Sequence, residues 1–161
     1  MTTTRLATAA LVLALAPVLP GCLTCTEIGC GAQLYLSASL ASDEDVVVEV
    51  CRAGTCFDAV SLTRPGAVVN IQRTATLQID AYRTTARELT ITATERSTTG
   101  AAAAPPGEVE WTVRVTGASS GAIIDSTFVP AYEREFPNGE ACGPLCYQHV
   151  STLETLSPSA P

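Results

Sequence analysis

The sequence predicts an all-β domain on three observations. Apolar and polar residues alternate at period two along most of the chain. Val, Ile and Thr are abundant, and turn-forming residues recur at short intervals between the alternating runs. Such alternation marks strands with one face on a core and the other in water. Many short strands without helix-length amphipathic segments between them build packed antiparallel sheets. The expected architecture is a single antiparallel β-sandwich domain of about seven to nine strands, disulfide-stapled, with an immunoglobulin-like arrangement as one form of it.

The strands are expected at 33–40, 46–52, 55–62, 68–72, 76–82, 89–94, 109–116, 123–132 and 147–153. Leu34, Leu36 and Leu40 share one parity, as do Val46, Val48 and Val50, then Leu77, Ile79 and Ala81, then Leu89, Ile91 and Ala93. The clearest run sets Trp111, Val113 and Val115 against Thr112, Arg114 and Thr116. Turns are expected at Ser42-Asp43, Arg64-Pro65-Gly66, 117–121 and Pro137-Asn138-Gly139. Residues 101–107, with Pro105-Pro106, read as a loop, because four alanines before prolines cannot sustain a helix. The immunoglobulin signature itself fails, since cysteines do not bracket Trp111 at the required spacing.

Ahead of this domain lies a different kind of segment. Arg5 is the one charged residue before Cys22, residues 6–19 are almost wholly apolar, and Gly21 is small. This is the layout of an export signal. As a helix the 14 apolar residues would reach about 21 Å, short of a roughly 30 Å hydrocarbon core, and Pro17 and Pro20 interrupt them. The chain therefore divides into a signal peptide (1–21), a tether with a cysteine loop (22–32), the β domain (33–156) and a tail (157–161) expected to be disordered.

Leu19-Pro20-Gly21-Cys22 resembles the lipobox of bacterial lipoproteins, with Pro20 departing from the usual Ala, Ser or Thr. The resemblance implies that lipoprotein signal peptidase recognises Leu19, Pro20 and Gly21. Cys22 then becomes the diacylglyceryl-modified, usually N-acylated first residue of the mature chain. Two or three acyl chains give durable attachment, at about 0.8 kcal/mol per buried CH₂. Leu23 is not the Asp that resembles an inner-membrane retention signal, so the expected location is the outer membrane, with the bilayer as partner.

Composition fits the same compartment. The formal charge is −7, and every basic side chain other than His149 is Arg, with no Lys at all. An acidic chain without a basic cluster is a poor partner for phosphate backbones, so nucleic-acid binding is excluded. With Cys22 lipidated, Cys25, Cys30, Cys51, Cys56, Cys142 and Cys146 remain, an even set suited to an oxidising environment. A two-residue turn at Ala53-Gly54 would set Cys51 opposite Cys56 within bonding reach. Cys25–Cys30 and Cys142–Cys146 are then the simplest local pairs. A bridge from Cys25 or Cys30 to a distant strand competes with them. Cys22-x-x-Cys25 lacks the second knuckle of a zinc site, and no metal or other cofactor is expected.

Catalytic constellations are weak. His149 is the sole histidine and no Gly-x-Ser-x-Gly elbow accompanies it, so a surface or strand-end role is expected. Asp43-Glu44-Asp45 lacks the ligand spacing of a calcium loop and reads as a solvated turn. Glu108 and Glu110 would share the solvent face of a strand. Trp111, with Tyr35, Tyr82, Tyr132 and Tyr147, offers material for a sugar-stacking platform, yet the parity of Trp111 points to the core.

Cys25-Thr26-Glu27-Ile28-Gly29-Cys30, with Pro137-Asn138-Gly139 and Cys142-Gly143-Pro144-Leu145-Cys146, resembles uncharacterised cysteine-containing lipoproteins of myxobacteria. The resemblance implies an envelope location and paired cysteines at both ends of a β domain, without an activity. The expected function is a non-enzymatic, lipid-anchored binding or structural module. A carbohydrate-binding or adhesion domain is the alternative, and a hydrolase, which needs a cleft with convergent polar groups, comes third.

Overall fold

The computed structural model describes residues 31–96, 107–136 and 146–156. All its regular elements are strands. The first seven are β1 (Gly31–Ser39), β2 (Val46–Arg52), β3 (Thr55–Cys56), β4 (Val60–Leu62), β5 (Val68–Arg73), β6 (Leu77–Thr85) and β7 (Glu88–Arg96). After them come β8 (Trp111–Gly117), β9 (Gly121–Phe128), β10 (Glu133–Glu135) and β11 (Cys146–Thr152). One sheet has six strands in the order β10-β11-β1-β7-β6-β5. The other has five, in the order β3-β2-β8-β9, with β4 also paired to β2.

The alternation read in the sequence is the alternation of burial. Leu34 and Leu36 of β1, Ile79 and Ala81 of β6, and Leu89 and Ile91 of β7 point inward from the six-stranded sheet. Val46, Val48 and Val50 of β2 and Trp111, Val113 and Val115 of β8 do so from the five-stranded one, and all join a single hydrophobic cluster. Each such aliphatic side chain contributes about 1.5–3 kcal/mol when fully buried. Bulges adjust the pattern locally. One between Val115 and Thr116 leaves β9 a residue out of step, so the successive Ile123 and Ile124 are both buried.

Four expectations need correction. Residues 55–62 are not one strand. Cys56 pairs with Cys51 and Val60 with Val48, so three residues (57–59) face two on β2, and this edge strand breaks into β3 and β4. The run at 123–132 stops at Phe128, opposite Trp111 where its partner β8 begins, and Pro130 has no N–H for a ladder. The chain then crosses to the other sheet, where Glu133–Glu135 adds β10 against β11. Third, the sheets are not purely antiparallel, because β11 runs parallel to β1, with Ala32 beside Tyr147 and Leu36 beside Ser151. Fourth, the strands number eleven among the described residues, beyond the seven to nine expected.

The turn between β2 and β3 forms as expected. Ala53 and Gly54 both have positive φ, 51° and 76°, the combination a type I′ hairpin turn requires. Ala53 N–H also donates to the Glu110 carbonyl at 2.9 Å, which ties the turn to the start of β8. Cys51 and Cys56 are disulfide-bonded across this hairpin. Because the loop they close is short, the Cys51→Ala/Cys56→Ala variant should lose only about 2 kcal/mol in urea denaturation. A loss below about 0.5 kcal/mol would mean the turn alone holds this edge.

Candidate functional site

Each mouth of the core is closed by an arginine. Arg52, at the end of β2, shares the inward parity of Val46, Val48 and Val50, and Glu95 shares that of Ile91 and Ala93 on β7. Their side chains meet across the two sheets in a bidentate pair, Nε donating to Oε1 at 3.0 Å and Nη2 to Oε2 at 2.9 Å. The guanidinium also lies 5.7 Å from the Trp111 ring centroid, a cation–π distance. Tyr132 belongs to the same corner. Burial, and then the Glu95 carboxylate, push its hydroxyl up to about 12 against the opposing pull of Arg52.

At the other mouth Arg83 extends the inward parity of Ile79 and Ala81 and is 1% exposed. Its partners are backbone carbonyls from two connections and from the end of β4. Nη1 donates to the oxygens of Glu44 and Leu62, and Nη2 to that of Ala86 at 2.5 Å. Nε has no hydrogen-bond partner. The parity signal for Arg83 was present in the sequence, two residues past Ala81, but ending the strand at Tyr82 concealed it.

Glu44 corrects the expectation of a solvated acidic turn. Its Oε2 accepts from Ser119 N–H at 2.7 Å, Ser119 Oγ at 2.6 Å and Ser120 N–H at 3.1 Å, and Oε1 accepts from Ser42 Oγ at 2.8 Å. The carboxylate thus organises the turn between β8 and β9. A side chain at Gly117 would collide with it and with the Ser120 hydroxyl. The Ser119 and Ser120 bonds, then that from Ser42, hold the Glu44 carboxyl far below the usual carboxylate range. The unfolded chain, titrating near 4.5, therefore takes up this proton first as pH falls. Stability from Glu44 is complete above about pH 5 and is lost on acidification. The Glu44→Gln variant should have a lower Tm than the parent at pH 7, with the gap closing between pH 5 and pH 2. Parallel Tm curves across that range would contradict the assignment.

A depression of about 270 Å³ lies along β10 and β11, lined by Ala131, Glu133, Glu135, Gln148, His149 and Val150. His149 lies at the surface, half-buried, in the middle of β11 rather than at a strand end. Its Nδ1–H donates to the Ala131 carbonyl at 2.9 Å, Phe128 stacks on it at 6.3 Å, and Tyr132 meets it edge-on at 6.1 Å. With Nδ1 engaged, Nε2 is the nitrogen left for other work. Glu108 and Glu110 are exposed on the segment leading into β8, outside the strand expected to carry them.

Among the described residues, one group of three has metal-like spacing, Glu49 with Cys51 and Cys56. Its sulfurs are already joined to each other and are not thiolates, so the donor set does not suit a metal. Cys146 is disulfide-bonded as well. Leu19, Pro20, Gly21, Cys22, Cys25, Cys30 and Cys142 also lie outside them.

The outer sheet faces are polar and laddered. On the five-stranded sheet, Arg114 bonds Glu49 at 2.8 Å and faces Asp125 at 3.5 Å on the opposite neighbour. Glu49, then Asp125, raise the Arg114 pKa. On the six-stranded sheet, Tyr35, Thr92, Asp80 and Asn70 form one cross-strand row. The buried Asp80 accepts from Asn70 Nδ2 at 2.7 Å and Gln78 Nε2 at 2.6 Å. Tyr35 donates to Gln33 at 3.0 Å, and Thr92 donates to the Tyr82 hydroxyl at 3.4 Å. Tyr147 and Trp111, by contrast, are buried, so neither offers a ring to a ligand.

Comparison with protein-family models, with curated proteins and with solved structures found no match.

Proposed function

We propose that the chain is a lipid-anchored envelope protein whose β-sandwich serves as a non-enzymatic binding or structural module at the outer membrane. The observation that carries this reading is the order of the chain. An apolar run ends in Leu19-Pro20-Gly21-Cys22, and β1 begins nine residues after that cysteine. Disulfide-bonded Cys51, Cys56 and Cys146 support an oxidising compartment. The six strands of one sheet present an ordered polar face, and its aspartate, amide and tyrosine groups are held by one another.

The test is fractionation of the native host carrying Cys22→Ser. The parent should sediment with outer-membrane vesicles and the variant should not. Equal sedimentation of both would contradict the lipid anchor. A second reading, carbohydrate binding or adhesion, draws on Tyr35 and Tyr82, half-buried on that outer face beside Asp80 and Asn70. It predicts that Tyr35→Ala/Tyr82→Ala abolishes retention on envelope polysaccharide. Unchanged retention, or none by the parent, would remove it.

A further inference from the structure

The parallel pairing of the two terminal strands fixes where each end of the chain emerges. β1 enters the fold at Gly31, beside Arg96 of β7 and within one residue of the Ala32–Tyr147 pair. β11 runs alongside in the same direction, so the chain leaves at the opposite end, where Leu156 N–H bonds the Ile123 carbonyl. A nine-residue strand is about 30 Å long. Entry and exit are therefore separated by roughly the full length of the sheet.

The five-stranded sheet is aligned with this axis. Arg52 meets Glu95 near the entry end, which brings the Ala53-Gly54 turn, Trp111 and Phe128 to that end. Arg83 meets Glu44 and Leu62 near the exit end, which places the Gly117–Gly121 turn and its Glu44 clasp there. Nine residue steps separate Cys22 from Gly31 and span at most about 32 Å even when fully extended. A freely flexible chain of that length averages only about 17 Å. Inverting the domain, so that its exit end met the bilayer, would hold Gly31 about 30 Å away and require nearly the whole contour length.

We propose that the domain stands on the lipid surface by its entry end, beside Trp111 and the Ala53-Gly54 turn. The Glu44-clasped turn and residue 156 are then presented outward. This orientation rests on the lipid-anchor reading. It makes the outward loops, at 40–45, 63–67 and 117–121, the surface that a partner beyond the membrane meets first.

Trp111 is the protein's single tryptophan and so a built-in reporter near the bilayer. The lipidated protein, its Cys22 modification first verified by intact mass, is reconstituted into phosphatidylcholine vesicles containing a dansyl-headgroup lipid. Energy transfer is then compared with that of Ala118→Trp, which retains Trp111 and adds a donor at an exposed position of the 117–121 turn. Six strand residues place that second donor about 20 Å further from the bilayer, so mean transfer efficiency should fall by roughly half. Efficiency that is unchanged or higher would overturn the orientation while leaving the anchor intact. A protein whose Cys22 carries no lipid would instead overturn the anchor reading, and this orientation with it.

Discussion

Replacing Arg83 by alanine should cost about 3–5 kcal/mol in urea denaturation, one of the two largest losses expected from a single substitution here. The side chain is fully buried, and its guanidinium serves the carbonyls of Glu44, Leu62 and Ala86. Truncation would leave those acceptors without a partner, at about 1–3 kcal/mol for each that water cannot reach, and would open a cavity between the sheets. Burying this cation is itself costly, since no carboxylate pairs with it and Nε stays unbonded. What the arginine contributes is a fixed position for the β1–β2 and β6–β7 connections and for the end of β4. A loss below about 1 kcal/mol would show that water satisfies the carbonyls and that the mouth is open.

Trp111→Ala should cost a similar amount, about 3–5 kcal/mol, for a different reason. The indole is 1% exposed and sits in the cluster shared by both sheets, so its removal leaves the largest hole a single truncation can make in this core. It also removes the ring beneath Arg52, which would retain its bond to Glu95 with one face exposed. Trp111→Phe should keep most of the packing and lose about half as much. A Trp111→Ala protein as stable as its parent would place the ring outside the core and reopen its use as a binding platform. The same urea titrations measure both substitutions.

The inward positions of β1, β2, β7 and β8 were legible because parity is a local property. Val46, Val48 and Val50 face the core wherever β2 lies in the sheet. The Cys51–Cys56 bond was legible for the same reason, since a two-residue turn fixes which residues oppose each other. Pairing between distant strands is not written locally. Nothing in Tyr147 to Leu153 shows that β11 runs parallel to β1, since the tally of apolar positions is the same in either direction. Pro130 did carry the signal that ends β9, and three residues facing two at 57–59 becomes visible only once the partner strand is known. Glu44 and Arg83 were missed because their roles depend on turns that meet across the fold. A charged residue reads as solvated until the groups that surround it are in place.

The lipid anchor is the central claim, and intact mass of the protein from the membrane fraction of its native host, before and after reduction, tests it most directly. The account predicts residues 22–161 plus a diacylglycerol and one acyl chain, with a gain of about six hydrogens when three disulfides open. A mature mass without lipid would contradict it. Cys22 would then belong to the covalent framework or carry a free thiol, and the protein would be exported without an anchor.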